Sequence, residues 1–152
     1  MTLRNRQGAC AVNLRLLRKI ILVLLNELMA VKSFELGVCL VETDEITRLN
    51  ERFLHHGGST DVITFNYAPR RGKKMIHGDV FICTSEAVEQ AQRFRGTWET
   101  ELVRYLVHGI LHLQGYDDLK PPARKKMRRE EDRCVRELGG RFALLRLGKR
   151  IE

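Results

Sequence analysis

Two histidines, His108 and His112, stand four residues apart in the segment HGILHLQGYDD, which runs from His108 to Asp118. The apolar spacing around them predicts a helix over 97–114. At a rise of about 1.5 Å per residue, the two imidazoles share one face about 6 Å apart along the axis, close enough to grip one ion. Gly115 follows where a left-handed residue ends a helix, and the turn it allows brings Asp117 or Asp118 back over the pair as a third ligand. Two histidines and a carboxylate leave a coordination position open for water, as catalytic zinc sites do, whereas structural zinc is closed by four protein ligands. The competing reading is a pair of part-buried polar histidines. It is disfavoured because Leu102, Val103, Leu106, Val107, Ile110, Leu111 and Leu113 flank them, and an unpaired imidazole in that company is costly.

The same spacing is found in metzincin proteases, which carry a glutamate directly after the first histidine as general base. Gly109 occupies that place here, which argues against a peptidase and suggests close approach of substrate or another backbone to the ion. Ser59 and Ser85 lack a nucleophile-elbow pattern, so serine hydrolysis has little support. His55 and His56 precede Gly57 and Gly58 in what reads as a surface loop, where solvated histidines are commoner than ligands.

These residues need a scaffold, and the pattern supplies one. Asn13 is placed to cap a helix running to about Val31, in which Leu14, Leu17, Ile21, Leu24, Leu25 and Leu28 form a core face. Phe34 to Val41 reads as a strand, Thr43 opens a helix carrying Ile46, Leu49, Asn50 and Phe53, and 61–67 and 77–83 read as strands able to pair as a hairpin. Helices follow over 85–94 and 97–114, and Pro121 and Pro122 open a last one to about Leu138. The expected fold is α+β, a single domain over 1–152 with helices packed on a small mixed sheet.

The 152 residues suffice for one domain with a core, and 43% apolar with 30% charged residues describe a soluble globular chain. Residues 1–119 hold 15 basic and 14 acidic side chains, against 12 and 5 in residues 120–152. The net charge of +8 therefore sits almost wholly in a basic C-terminal helix and tail, which reads equally as a surface facing a polyanion or as a merely solvated helix. Arg124, Lys125 and Arg128 are its candidate phosphate contacts. Cys10, Cys39, Cys83 and Cys134 form no Cys-x-x-Cys pair, which fits a reduced, cytoplasmic setting, with Cys39 and Cys83 in the core. The apolar run IILVLL at 20–25 is too short to span a bilayer and ends without a cleavage-like site, so no membrane association is expected.

Three blocks together resemble the YbeY family of endoribonucleases, which are rRNA maturation factors: LNERF (49–53) with STDVITF (59–65), HGDVFICTSEAVEQA (77–91), and ELVRYLVHGILHLQGYDD (101–118). The resemblance implies a metal-dependent hydrolase that cuts single-stranded RNA and acts in ribosomal RNA processing and ribosome quality control, with the ribosome or its proteins as partners. It maps metal-binding and catalytic roles onto His108, His112 and Asp118, with one zinc ion or another divalent metal per chain. Thr60 and Asp61 match the family's strand entry and are candidates to line the RNA cleft; Asp61 alternatively caps a turn. The chain departs from the family at Asp118, where the pattern has histidine, and at Leu54, where it has an arginine associated with RNA cleavage. A carboxylate ligand lowers the site's charge and its power to acidify water. Two rivals follow: a non-catalytic ribosome-associated module that binds RNA through the basic surface, and a metallopeptidase or other zinc hydrolase.

Overall fold

A computed structural model describes residues 1–53, 60–70 and 72–148. Leu54, His55, His56, Ser59 and the end of the basic tail lie outside the described residues.

A four-stranded mixed sheet, in the order β1-β2-β4-β3, carries the molecule. Strand β1 (Thr2–Asn5) runs parallel to β2 (Ser33–Val41), which runs parallel to β4 (Met75–Cys83); β3 (Val62–Asn66) pairs antiparallel with β4. The expected hairpin is therefore present, with Val62 opposite Ile82 and Asn66 opposite Gly78. Strand β1 was not expected: four residues with one partly buried apolar side chain give periodicity too little to detect.

Helix α1 (Leu14–Val23) is capped as its sequence suggests, Leu16 N–H donating to Asn13 Oδ1 at 3.1 Å. It continues as a π-helical turn over Leu24–Leu28 and stops earlier than the expected Val31, because Ala30 takes a left-handed conformation with φ 51°. Helix α2 (Thr43–Phe53) covers one face of the sheet and closes a small core of Cys39, Val41, Ile46, Ile63 and Cys83. On the other face lies the main core, built by α1, α3 (Thr84–Arg93), α4 (Trp98–Leu113) and α5 (Pro121–Arg141), with a 3-10 turn at Leu144–Gly148. This is the α+β arrangement of helices on a mixed sheet that the sequence predicts. Among the described residues, no helix is long and apolar enough to cross a membrane.

Helix α4 is the element that positions the chemistry, and it is apolar on nearly every side. Leu102, Val103, Leu106, Val107, Ile110 and Leu111 are at most 1% exposed. Gly109 lets it sit close to the sheet: a Cβ there would lie 2.7 Å from Val80 Cγ1, with Val62 Cγ1 and Thr64 Cγ2 at 3.2 and 3.3 Å. The expectation that Gly109 opens an approach to the ion is thus corrected. One position on from His108, a helix has turned about 100°, and that turn faces the sheet. Substituting Gly109→Ala should destabilise the fold by about 1–3 kcal/mol through overpacking, measurable as a lower midpoint of chemical denaturation.

Candidate metal centre

The side of α4 that the core leaves over is a stripe of Arg104, His108 and His112, each a helical turn from the next. After His112 the helix ends as its glycine predicts. Gly115 adopts φ 97°, its N–H reaches the His112 carbonyl at 3.0 Å, and Tyr116 N–H reaches the Leu111 carbonyl at 3.1 Å. These two bonds make a Schellman stop. The reversed chain then carries Asp118 over the histidines, its Oδ2 lying 3.6 Å from Nε2 of both His108 and His112. Asp117 takes another role, accepting Leu119 N–H at 2.8 Å to shape the turn. The choice between the two aspartates that spacing left open falls to Asp118.

The hydrogen bonds fix what the imidazoles offer. His112 Nδ1 lies 3.1 Å from the Tyr116 carbonyl oxygen, which can only accept, so Nδ1 carries the proton. His108 Nδ1 is 2.7 Å from Glu131 Oε1 on α5, again a donor facing an acceptor. In its neutral form each ring therefore presents a bare Nε2, and these two nitrogens stand 3.1 Å apart beside the Asp118 carboxylate. The three groups offer ligand atoms within 4.8 Å of one another. Three converging acceptors with no donor among them are what a divalent cation satisfies, so the residues fit a metal ion.

Glu131 orients the site from behind. Its other oxygen accepts from Arg104 Nη1 at 2.8 Å, and the same nitrogen reaches Asp132 Oδ1 at 2.8 Å. Burial alone would disfavour charge on both members of the His108–Glu131 pair. The hydrogen bond and charge of Glu131, with Asp118 and Asp61 beyond, outweigh it and raise the His108 pKa. Likewise the bonds from His108 and Arg104 overcome burial and lower the Glu131 pKa. In the metal-free protein the pair thus contributes stability between the depressed Glu131 value and the raised His108 value, and loses it outside that window.

Sequence reading missed Glu131 and Arg104. The spacing of Arg104 four residues before His108 was visible, and the only sign of Glu131 was the acidic run EED at 130–132 in an otherwise basic helix. Of the other candidates, Asp61 accepts Val62 N–H at 2.8 Å and Thr60 Oγ1 at 3.3 Å at the entry to β3, so it shapes the turn while its charge reaches His108. Arg124, Lys125 and Arg128 are exposed on α5. By helical spacing Arg124 and Arg128 share a row with Glu131, and Lys125 lies about 100° further round from Arg124.

Comparison with known proteins settles the family. Residues 2–139 match the family profile described as Endoribonuclease YbeY. The chain belongs to the YbeY family. Relatives bearing that name include one from Salinibacter ruber, 39% identical over 106 residues, which are 66% of this chain and 68% of that protein. Another, from Elusimicrobium minutum, is 39% identical over 108 residues, covering 70% and 76% of the two chains. The solution structure of TM1509 from Thermotoga maritima superposes with a TM-score of 0.66 at 29% identity, covering 93% of this chain and 91% of that one.

Substituting Glu131→Gln should keep the fold and weaken zinc binding about 10–100-fold, read by calorimetry, because the carboxylate orients His108 and raises its basicity. In the unsubstituted protein, zinc affinity should fall as the pH is lowered, starting above the ordinary histidine value, because the ion must displace the Nε2 proton that the hydrogen bond and charge of Glu131 help His108 to hold.

Proposed function

We propose that this chain is a metal-dependent endoribonuclease that cuts single-stranded RNA in ribosomal RNA maturation and ribosome quality control, with His108, His112 and Asp118 holding one zinc ion. The observation that carries the reading is the convergence of two Nε2 atoms and one carboxylate, with each imidazole turning its Nδ1 to an acceptor elsewhere. Membership of a family named for endoribonuclease activity supplies the substrate class. A single hydrolase domain over 1–152, with a basic C-terminal helix and tail, follows from the same reading.

A zinc ion bound there supplies a Lewis acid for the phosphoryl group and lowers the pKa of a coordinated water. The protein's own groups set the conditions for that chemistry. Glu131 and the Tyr116 carbonyl keep both Nδ1 protons in place, so the Nε2 lone pairs stay directed at one point. Arg104 neutralises part of the Glu131 charge while holding its carboxylate still. In this reading Thr60 and Asp61, at the β3 entry, line the RNA cleft, and the exposed guanidinium and ammonium groups of Arg124, Lys125 and Arg128 supply phosphate contacts that do not read sequence. Gly109 packs on the sheet where a metzincin has its general base, which sets the peptidase alternative aside. Four free cysteines, three of them buried, support a reducing cytoplasmic setting.

A single-stranded RNA oligonucleotide should be cut internally by the zinc-loaded protein and left intact after chelation. Asp118→Ala should abolish both metal retention and cleavage, and Asp117→Ala should spare the metal. Retention of zinc without cleavage of any single-stranded RNA would favour the non-catalytic, RNA-associated alternative. Charge reversal at Arg124, Lys125 and Arg128 should weaken RNA binding most at low salt, because phosphate neutralisation releases counterions.

A further inference from the structure

Two lysines from different parts of the fold pack beside one aromatic ring. Lys73, in the loop between β3 and β4, places its Nζ 4.4 Å from the Tyr116 ring centroid, and Lys126, on α5, places its Nζ 5.9 Å from the same point. Neither lysine makes an ion pair among the described residues.

The surroundings hold this meeting point in place. The buried Gln114 donates its Nε2 to the Lys73 carbonyl at 2.8 Å, and Asn66 Nδ2 donates to the Leu113 carbonyl at 3.3 Å, so the hairpin is tied to the end of α4. Tyr116 packs against the main core, and its own carbonyl is the group that orients His112. The ring under the two cations is therefore one residue with the backbone that sets a metal ligand. Two ammonium groups beside one ring, neither paired with a carboxylate, leave positive charge that the negative face of the ring offsets only in part and that a phosphate offsets further.

We propose that Lys73 and Lys126, seated on Tyr116, form a phosphate-binding subsite that holds a backbone phosphate of the RNA next to the one cut at the His108, His112 and Asp118 centre. The inference rests on the endoribonuclease reading and assigns a positioning site to it. A phosphate is the fitting ligand, and a stacked base is not, because the Lys73 ammonium already occupies the ring face. Lysine acts as a point charge on flexible carbons, so the subsite grips any nucleotide and fixes where the strand lies without selecting its sequence.

The double substitution Lys73→Met and Lys126→Met keeps the aliphatic stems on the ring and removes only the charge. With a single-stranded RNA oligonucleotide, KM should rise about tenfold with kcat nearly unchanged, as expected for losing a charge-assisted contact made equally in the bound and transition states. The slope of log affinity against log salt should shrink by about 0.7, the value for one phosphate of a single strand. Zinc affinity should stay at its original value, Lys73→Arg with Lys126→Arg should restore KM, and Lys19→Met, exposed on α1, should change nothing. If the unsubstituted protein cuts RNA and the double methionine variant matches it in KM and salt slope, the subsite is wrong and the enzymatic reading stands. If the zinc-loaded protein neither binds nor cuts RNA, both fall together.

Discussion

The contact of Gly109 with Val80, Val62 and Thr64 sets the rotation of the central helix, and nearly everything about the site follows from that angle. A helix buried on most sides has one stripe to spare for polar groups, and which stripe that is depends on which residue faces the sheet. With Gly109 against β3 and β4, Arg104, His108 and His112 turn toward α5, where Glu131 receives two of them. Lacking a side chain at that one position, the helix settles close enough to the sheet for the adjacent β4 glycine, Gly78, to matter as well. A Cβ at Gly78 would come within 2.7 Å of Leu113 Cδ2, in the last turn before the metal-facing loop.

The ligand set gives the centre its electrical character. Two neutral imidazoles and one carboxylate carry a single negative charge, so they hold a dication more firmly on charge grounds than three imidazoles and leave it less able to acidify water. Glu131 adds negative charge behind His108, and Arg104 takes up part of it. The Asp118 side chain is 38% exposed and that of Glu131 13%, so the Asp118 charge is the more screened of the two.

Sequence carried the site further than it carried the scaffold's edges, for local reasons. His108, His112, Gly115 and Asp118 lie on one continuous stretch whose helix, stop and return are each signalled by residue type, so their convergence was legible before any packing was known. Glu131 was not, because its partnership with His108 spans two helices and depends on how α4 and α5 lie together. Gly109 invited the wrong reading for the same reason: sequence shows a missing side chain, and only packing shows that the sheet fills the gap. Asp117 and Asp118 are adjacent and chemically alike, so only the turn's geometry separates them. The short strand β1 and the left-handed Ala30 that ends the first helix carry no residue-type signal at all.

The three converging groups occupy a compact stretch of chain, all between His108 and Asp118 and two of them one helical turn apart. Closing a loop that short costs little entropy, so the denatured chain would keep a weak ability to chelate an ion that the native site holds. Metal that binds both states stabilises the native one only by the difference between its two affinities. An ion held by these groups would thus be a modest clamp on the fold relative to its affinity for the native site, and the domain's cohesion rests on the packing around α4.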